Sequence, residues 1–180
     1  MRLFVSIDLP PEICSELNNR LPELPGWKKA RVEQIHLTLF FIGECSNEEK
    51  DEIIAELDQV SFSPFEMEIE GLGVFPGLKN PKILWNSVRQ NEELLSLQKS
   101  ILKKLDRFSK KPVWKKFIPH ITVARRKSGV GSDRQIDRLL KMEFPAIQTG
   151  IRYFSLKKSI LKPAGSVHSV LQKFYSNGDS

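Results

Sequence analysis

Two of the three histidines in this 180-residue chain lie in the same local pattern. Residues 36–39 read His-Leu-Thr-Leu and residues 120–123 read His-Ile-Thr-Val, so both are His-x-Thr-x tetrads with aliphatic residues at the x positions. The two histidines, and likewise the two threonines, are 84 positions apart. A single His-x-Thr on a strand is commonly a half-buried structural pair, so it is the repeat that favours a functional interpretation.

Side chains alternate across a β-strand, which predicts that His36 and Thr38 share one face and that His120 and Thr122 do the same. If the two segments pack about a pseudo-twofold axis, their polar faces meet in one groove. An imidazole has an ordinary pKa of about 6.5, so near pH 7 one ring can accept a proton while another donates one. The threonine hydroxyls can donate hydrogen bonds to the non-bridging oxygens of a bound anion.

Neither tetrad supplies the Asp, Glu or Cys that a metal site would add, and a Zn²⁺ site needs three or four ligands. The residues therefore predict cleavage of a phosphoester by acid and base, without a metal ion or another cofactor. The third histidine, His168, has Val170 rather than a threonine two places on. We predict that His168 lies on a surface or edge strand, outside the site.

Patterns of period 2 and period 3.6 alternate along the chain, with no linker or low-complexity segment between them. Helices are predicted over about residues 10–21, 46–57, 92–108 and 132–142. The second begins with a capping box formed by Ser46 and Glu49. The predicted strands are residues 2–8, 35–42, 65–74, 83–88, 117–124, 151–157 and 167–175. This mixed order predicts an α+β protein with antiparallel pairing and helices on the outer faces.

The composition fits one ordinary domain or two small lobes, since 40% hydrophobic and 28% charged residues argue against disorder. Cys14 and Cys45 show no Cys-x-x-Cys spacing, which is typical of thiols in a reducing compartment. The apolar run at residues 2–7 is too short for a signal-peptide core, and no run approaches the roughly 18 apolar residues of a membrane span. We therefore expect a cytoplasmic protein without a membrane partner.

Charge is uneven around the net value of +6. Residues 44–70 carry ten acidic side chains and one basic one, whereas residues 99–127 carry eleven basic side chains and one acidic one. Either run could be a solvated helix face. The basic run leads into His120 and continues past it, which predicts that a polyanion held there would lie beside an imidazole.

The chain resembles the two-histidine phosphoesterase superfamily and, within it, the LigT-like RNA 2′,3′-cyclic phosphodiesterases, formerly called 2′-5′ RNA ligases. The resemblance is carried by residues 2–7, 36–44, 75–76, 81–85, 117–125 and 159–161. The paired tetrads identify the superfamily, and the flanking segments point to this branch. The resemblance implies one two-lobed phosphoesterase domain over residues 1–180, with pseudo-twofold symmetry and antiparallel sheets lining a central cleft.

The resemblance also implies a reaction. Water opens a terminal 2′,3′-cyclic phosphate on RNA to a 2′-phosphomonoester, with His36 and His120 as the catalytic pair and Thr38 and Thr122 holding the phosphate. His36 is assigned as the acid and His120 as the base, but coupled titration of the pair leaves the opposite assignment open. Reverse ligation would be a weak side reaction. RNA ends or short oligonucleotides are the expected partners, and the protein is expected to be a monomer.

Two further residues are assigned to substrate binding. Arg125 matches an arginine that the family uses near the phosphate, although it lies an odd number of residues after His120 and a regular strand would turn it away; a strand end or bulge could redirect it. Phe40 shares the parity of His36, so it is predicted to face the cleft, where it either stacks on a base or packs between the lobes, while Phe41 faces the core.

The chain departs from the family pattern at two places. Residues 30–34 lack the tryptophan often found shortly before the first tetrad, and residues 165–168 read Gly-Ser-Val-His where members often have Gly-Pro-x-Tyr. Two alternative functions remain open. One keeps the fold but acts on 2′-5′-linked oligonucleotides or small cyclic nucleotide phosphates. The other is a non-catalytic RNA-binding protein, based on the basic run at residues 99–127.

Overall fold

The computed structural model describes residues 1–109, 116–127, 133–162 and 165–178. The strands are β1 Arg2–Asp8, β2 Trp27–Lys29, β3 His36–Glu44, β4 Phe65–Phe75, β5 Ile83–Val88, β6 His120–Arg126, β7 Ile147–Ile151, β8 Tyr153–Lys162 and β9 Gly165–Tyr175. The helices are α1 Pro11–Asn19, α2 Asn47–Leu57, α3 Glu92–Leu105 and α4 Asp133–Leu140, with 3-10 turns at Val32–Gln34 and Asp106–Phe108. No helix in these described ranges is long and apolar enough to cross a membrane.

The four predicted helices and seven predicted strands are all present, with shifted ends. The sequence analysis missed the three-residue strand β2 and also β7, of which only the last residue, Ile151, fell within a predicted strand. The predicted start of α4 at Ser132 lies outside the described residues. The capping box of α2 forms as predicted: the Glu49 main-chain N–H donates to Ser46 Oγ, and the Ser46 N–H donates to the Glu49 carboxylate.

All strand pairs are antiparallel and belong to one nine-stranded sheet in the order β7-β4-β5-β6-β3-β1-β8-β9, with β2 beside β6. The two tetrad strands, β3 and β6, are neighbours at its centre. They are joined through the register pair Leu37 and Ile121, which occupy the same position in the two tetrads. A pseudo-twofold axis therefore passes through this pair, and the predicted duplicated α+β fold is confirmed.

One face of the sheet forms the hydrophobic core. The second tetrad residues, Leu37 and Ile121, are fully buried there, together with apolar side chains from all four helices. The histidines and threonines alternate with these aliphatic residues, so they lie on the opposite face. The helices thus cover one face of the sheet and leave the other face for the cleft.

The two charge blocks of the sequence pair with each other on the helical side. Lys104 of α3 lies 3.2 Å from Glu56 of α2, and Arg107 contacts Glu56 at 3.1 Å and Glu52 at 3.6 Å. Two cations of the basic run are therefore paired with the acidic helix, and the polyanion expected beside His120 stays a prediction. Lys110, Lys111 and Lys115 lie outside the described residues.

The central pair leads to a stability prediction. Replacing Leu37, which is 0% exposed, by alanine should lower the free energy of unfolding by about 2–5 kcal/mol, because it leaves a cavity where the halves meet. Leu161→Ala is the matched control, since Leu161 is 67% exposed and should cost less than about 0.5 kcal/mol. Chemical denaturation of both variants checks this; equal losses would contradict the central role of Leu37.

Candidate active site

The first histidine is held in one tautomer by the main chain. His36 opens β3, and its Nδ1 lies 2.7 Å from the main-chain oxygen of Gln34. A carbonyl oxygen only accepts hydrogen bonds, so Nδ1 carries the proton and Nε2 keeps its lone pair in the neutral ring. Nε2 lies 3.1 Å from Thr38 Oγ1 and accepts a hydrogen bond from that hydroxyl.

The second histidine repeats this arrangement. Nδ1 of His120 lies 2.8 Å from the main-chain oxygen of Ile118, again the carbonyl two residues earlier. Gln34 and Ile118 are themselves 84 positions apart, so the duplication extends to the groups that orient the rings. The antiparallel register through Leu37 and Ile121 brings both tetrads to one place. Both rings therefore present Nε2, with a threonine hydroxyl two residues on.

A β-bulge at the last residue of each tetrad reverses the alternation of side chains. In β3 the extra residue is Leu39, between Thr38, which pairs with Ser6, and Phe40, which pairs with Val5. In β6 the extra residue is Val123, between Thr122, which pairs with Trp85, and Ala124, which pairs with Leu84. The two bulges are also 84 positions apart. Each bulge turns the fifth residue after its histidine onto the face that carries the histidine.

Because the bulges reverse the alternation, the prediction for Phe40 and Phe41 has to be corrected, and Arg125 is turned to the face that carries the histidines. Phe40 is 7% exposed and packs in the core, so the prediction that it faces the cleft is wrong. Phe41, predicted to be buried, is 56% exposed and lies beside Phe4, with ring centroids 6.0 Å apart. Arg125 is exposed on the face of His120, where its charge adds to the effect of burial in lowering the pKa of that ring.

Among the described residues, each tetrad histidine has two ring neighbours. His36 lies 5.1 Å from Phe4 and 5.2 Å from His168, measured between ring centroids. His120 lies 5.0 Å from Phe75 and 6.0 Å from Trp85, which stack on each other at 4.8 Å. None of these neighbours was identified as part of the site from sequence, because they lie in separate strands and no shared motif connects them.

The position of His168 overturns its predicted place outside the site. It lies on the edge strand β9, as expected, but β9 brings its ring against His36. Nδ1 of His168 is buried and has no hydrogen-bond partner among the described residues. The sequence did contain one indication that His168 belongs to the site: it occupies the position in residues 165–168 where members of the resembled family often have a tyrosine.

A buried ion pair lies next to His36, on the neighbouring strands β1 and β8. Lys157 of β8 is 7% exposed and pairs with Asp8 of β1, which also accepts a hydrogen bond from Ser155 Oγ at 2.7 Å. Burial lowers the pKa of His36 to about 3, assisted by the charge of Lys157 and by His168. Burial also lowers the pKa of His120, with Arg125 acting in the same direction. Both rings are therefore neutral at pH 7 in the free protein.

The arrangement offers two proton-accepting nitrogens, two hydroxyl donors and one exposed guanidinium on a single face. This suits an anion whose bonds are made and broken with proton transfer. Among the described residues, no three His, Cys, Asp or Glu side chains are grouped as metal ligands.

Comparison with known proteins yields a consistent set of relatives. The family model described as the 2'-5' RNA ligase superfamily matches residues 9–156. An RNA 2',3'-cyclic phosphodiesterase of Archaeoglobus fulgidus is 35% identical, over 97% of this chain and 99% of the relative. One of Thermus thermophilus is 33% identical, over 99% of this chain and 92% of the relative.

Solved structures agree with this grouping. The crystal structure of TT0787 of Thermus thermophilus has a TM-score of 0.80 and 30% sequence identity, and the match covers 100% of both chains. The E. coli LigT structure complexed with 3'-AMP has a TM-score of 0.78 over 98% of each chain, at 22% identity. At that identity, the second match concerns the fold alone.

The low pKa of His36 makes stability depend on pH. Between about pH 6.5 and 3 the unfolded chain binds a proton at His36 that the folded protein excludes, so stability falls as pH decreases. From pH 7 to pH 5, the free energy of unfolding should fall less steeply in the His36→Gln variant than in the wild type. The difference between the two slopes should be up to about 1.4 kcal/mol per pH unit. Denaturant unfolding across this range measures the slopes; identical slopes would contradict the burial of a neutral His36.

Proposed function

Because the chain belongs to the 2'-5' RNA ligase superfamily, we propose that it hydrolyses RNA 2′,3′-cyclic phosphate ends to 2′-phosphomonoesters. The observation that carries the proposal is the repeated hydrogen bond from each histidine Nδ1 to the carbonyl two residues earlier. It leaves two Nε2 atoms on one face of the sheet, as a reaction with one proton acceptor and one proton donor requires. The names of the relatives at 35% and 33% identity support the same substrate.

In the proposed reaction, one histidine takes a proton from water while the water oxygen bonds to phosphorus. The other histidine gives a proton to the 3′ oxygen as the bond from phosphorus to that oxygen breaks. Thr38 and Thr122 donate hydrogen bonds to the non-bridging oxygens, where negative charge grows in the transition state. The Thr38 hydroxyl must turn from His36 Nε2 to the phosphate, which frees the nitrogen lone pair. Arg125 offsets the anionic charge from the His120 side.

The electrostatic surroundings favour one assignment of the two roles. Lys157 and His168 both oppose a proton on His36, whereas Arg125 opposes one on His120. A bound phosphate anion lies between the histidines in this scheme and favours protonation of whichever ring is less opposed. We therefore assign His36 as the base and His120 as the acid, the reverse of the assignment made in the sequence analysis.

The structure weakens the case for a non-catalytic RNA-binding protein. That alternative depends on the basic run, and its cations at Lys104 and Arg107 pair with the acidic helix on the side away from the cleft. The absence of a metal requirement, a monomeric state and a cytoplasmic location stay predictions of the sequence. So does the assignment of residues 1–180 to one phosphoesterase domain.

Turnover of cyclic-phosphate RNA tests the proposed reaction directly. RNA ending in a 2′,3′-cyclic phosphate should be opened in the presence of EDTA, with the phosphate left on the 2′ oxygen. His36→Ala and His120→Ala should each lower kcat/KM by roughly 10²–10⁴-fold. Product mapping with wild-type protein is the measurement; no opening, or opening that requires a metal, would overturn the proposal.

The same two variants separate the acid from the base. A nitrophenyl phosphodiester has a leaving group that departs without a proton, so loss of the acid should matter less on this substrate. His120→Ala should therefore lose a smaller factor on it than on RNA, while His36→Ala should lose a similar factor on both. The opposite pattern would restore His36 as the acid.

The bulges predict a contrast between neighbouring residues. Arg125→Gln should raise KM by about 10–100-fold through loss of a charged contact, and Phe41→Leu by about 5-fold or more through loss of base stacking. Arg126→Gln and Phe40→Leu are the matched controls, because these residues point away from the cleft. Phe40→Leu should lower thermal stability while leaving KM nearly unchanged. An equal rise in KM within either pair would refute the change of face.

A further inference from the structure

His36 is enclosed by two rings from different strands. The centroids of Phe4, His36 and His168 form a triangle with sides of 4.9, 5.1 and 5.2 Å. His168 meets His36 edge to face, at an interplanar angle of 77°. Rotation of the His36 ring about its bond to Cβ would collide with these neighbours, so the packing limits the ring to one plane.

Strand β9 also contacts His36 indirectly, through Gln34. The side-chain amide of Gln34 donates a hydrogen bond to the main-chain oxygen of Ser166, two residues before His168. The main-chain oxygen of the same Gln34 accepts the hydrogen bond from His36 Nδ1. The beginning of β9 therefore positions both the ring that packs on His36 and the carbonyl that sets its tautomer.

The other tetrad histidine is enclosed differently. In the part of the chain that the structure describes, the ring neighbours of His120 are Phe75 and Trp85, from strands of its own half of the sheet, and neither of them takes up a proton. The surroundings of His120 show that aromatic rings without a titrating group can pack against a tetrad histidine. His168, which packs against His36, differs from them in carrying ring nitrogens that need hydrogen-bond partners.

Nδ1 of His168 lowers the stability of the fold if the ring serves only to pack against His36. Nδ1 of His168 is buried without a partner in the described part of the chain, and an unpaired buried polar group is destabilising because it loses its hydrogen bonds to water. A phenylalanine or tyrosine ring could fill the same space without this cost. Packing alone therefore does not account for a histidine at position 168.

We propose that His168 is a positioning residue for His36: it holds the imidazole in its Nδ1–H tautomer, and together the two rings bind at most one proton. The proposal rests on the proposed function only in giving His36 a part in the reaction. It predicts that the protonation of His36 depends on residue 168, while that of His120 does not.

The charges around the two rings support this coupling. Lys157 of β8 faces both His36 and His168, Arg125 of β6 acts on His168, and Asp8 of β1 acts on His36 while paired with Lys157. Burial followed by these cations lowers the pKa of His168, and burial, Lys157 and His168 lower that of His36. Two protonated rings 5.2 Å apart beside a buried ammonium would repel strongly, so the pair titrates as one unit.

The test compares three variants of the full chain. His168→Ala removes the ring and the nitrogens, His168→Phe keeps a ring without a titrating group, and Ser169→Ala changes the exposed neighbour as a control. Nuclear magnetic resonance of the imidazole nitrogens, as pH is varied, reports the tautomer and pKa of His36 without any substrate. Steady-state kinetics on cyclic-phosphate RNA across the same pH range report kcat and KM separately.

We expect His168→Ala to lower kcat by roughly 10–100-fold with KM within about threefold, because a misplaced base loses transition-state contacts rather than substrate binding. A second His36 tautomer should appear in its spectrum. His168→Phe should restore kcat at pH 8 to within about threefold of wild type. It should also raise the pKa of His36 and leave that of His120 unchanged, and Ser169→Ala should match wild type.

The proposal is overturned if the His36 tautomer and pKa are the same in wild type and both His168 variants. A fold check by thermal melting accompanies each variant, and if His168→Ala does not fold, the titration of His168→Phe decides alone. Failure of the wild-type protein to open cyclic phosphates would overturn the proposed function. The substrate-free titration of His36 would still decide the role of His168.

Discussion

The pairing of Leu37 with Ile121 is the contact on which the geometry of the cleft depends. The two residues occupy equivalent places in the tetrads, so an antiparallel pair between them generates the pseudo-twofold relation without any further symmetry element. Their burial on the helical face forces the flanking histidines and threonines onto the other face. The same contact thus joins two halves of the sheet, fills the centre of the core and gathers four polar side chains.

The paired bulges add what a regular strand could not provide. A continuous alternation would point Phe41 and Arg125 into the core, where an arginine would lose its hydration. An extra residue at Leu39 in β3 and at Val123 in β6 turns both side chains onto the face that carries the histidines and places two consecutive apolar residues in the core. The face of the sheet that carries the histidines therefore also carries an exposed aromatic group in one half and an exposed cation in the other, at equivalent positions.

The two halves differ most in their electrostatics. The His36 side contains the buried pair of Lys157 with Asp8, and a histidine from the edge strand, whereas the His120 side contains aromatic rings and an exposed arginine. Duplicated geometry combined with unequal surroundings can separate the proton affinities of two chemically identical groups. In the proposed reaction, which needs one acid and one base, this inequality gives the two members of a symmetric pair different roles.

The sequence by itself determined the features that are local in the chain. The repeated tetrads, the capping box at Ser46 and the apolar stripes of the helices each depend on spacing within about ten residues, and from them the α+β class and four site positions could be predicted. The tertiary structure decided the orientation of Phe40, Phe41 and Arg125, because a bulge arises from the register with a neighbouring strand. It also decided the pairing of the charge blocks and the contact of His168 with His36. These contacts join segments up to 132 residues apart, and the local pattern at either end contains no information about its partner.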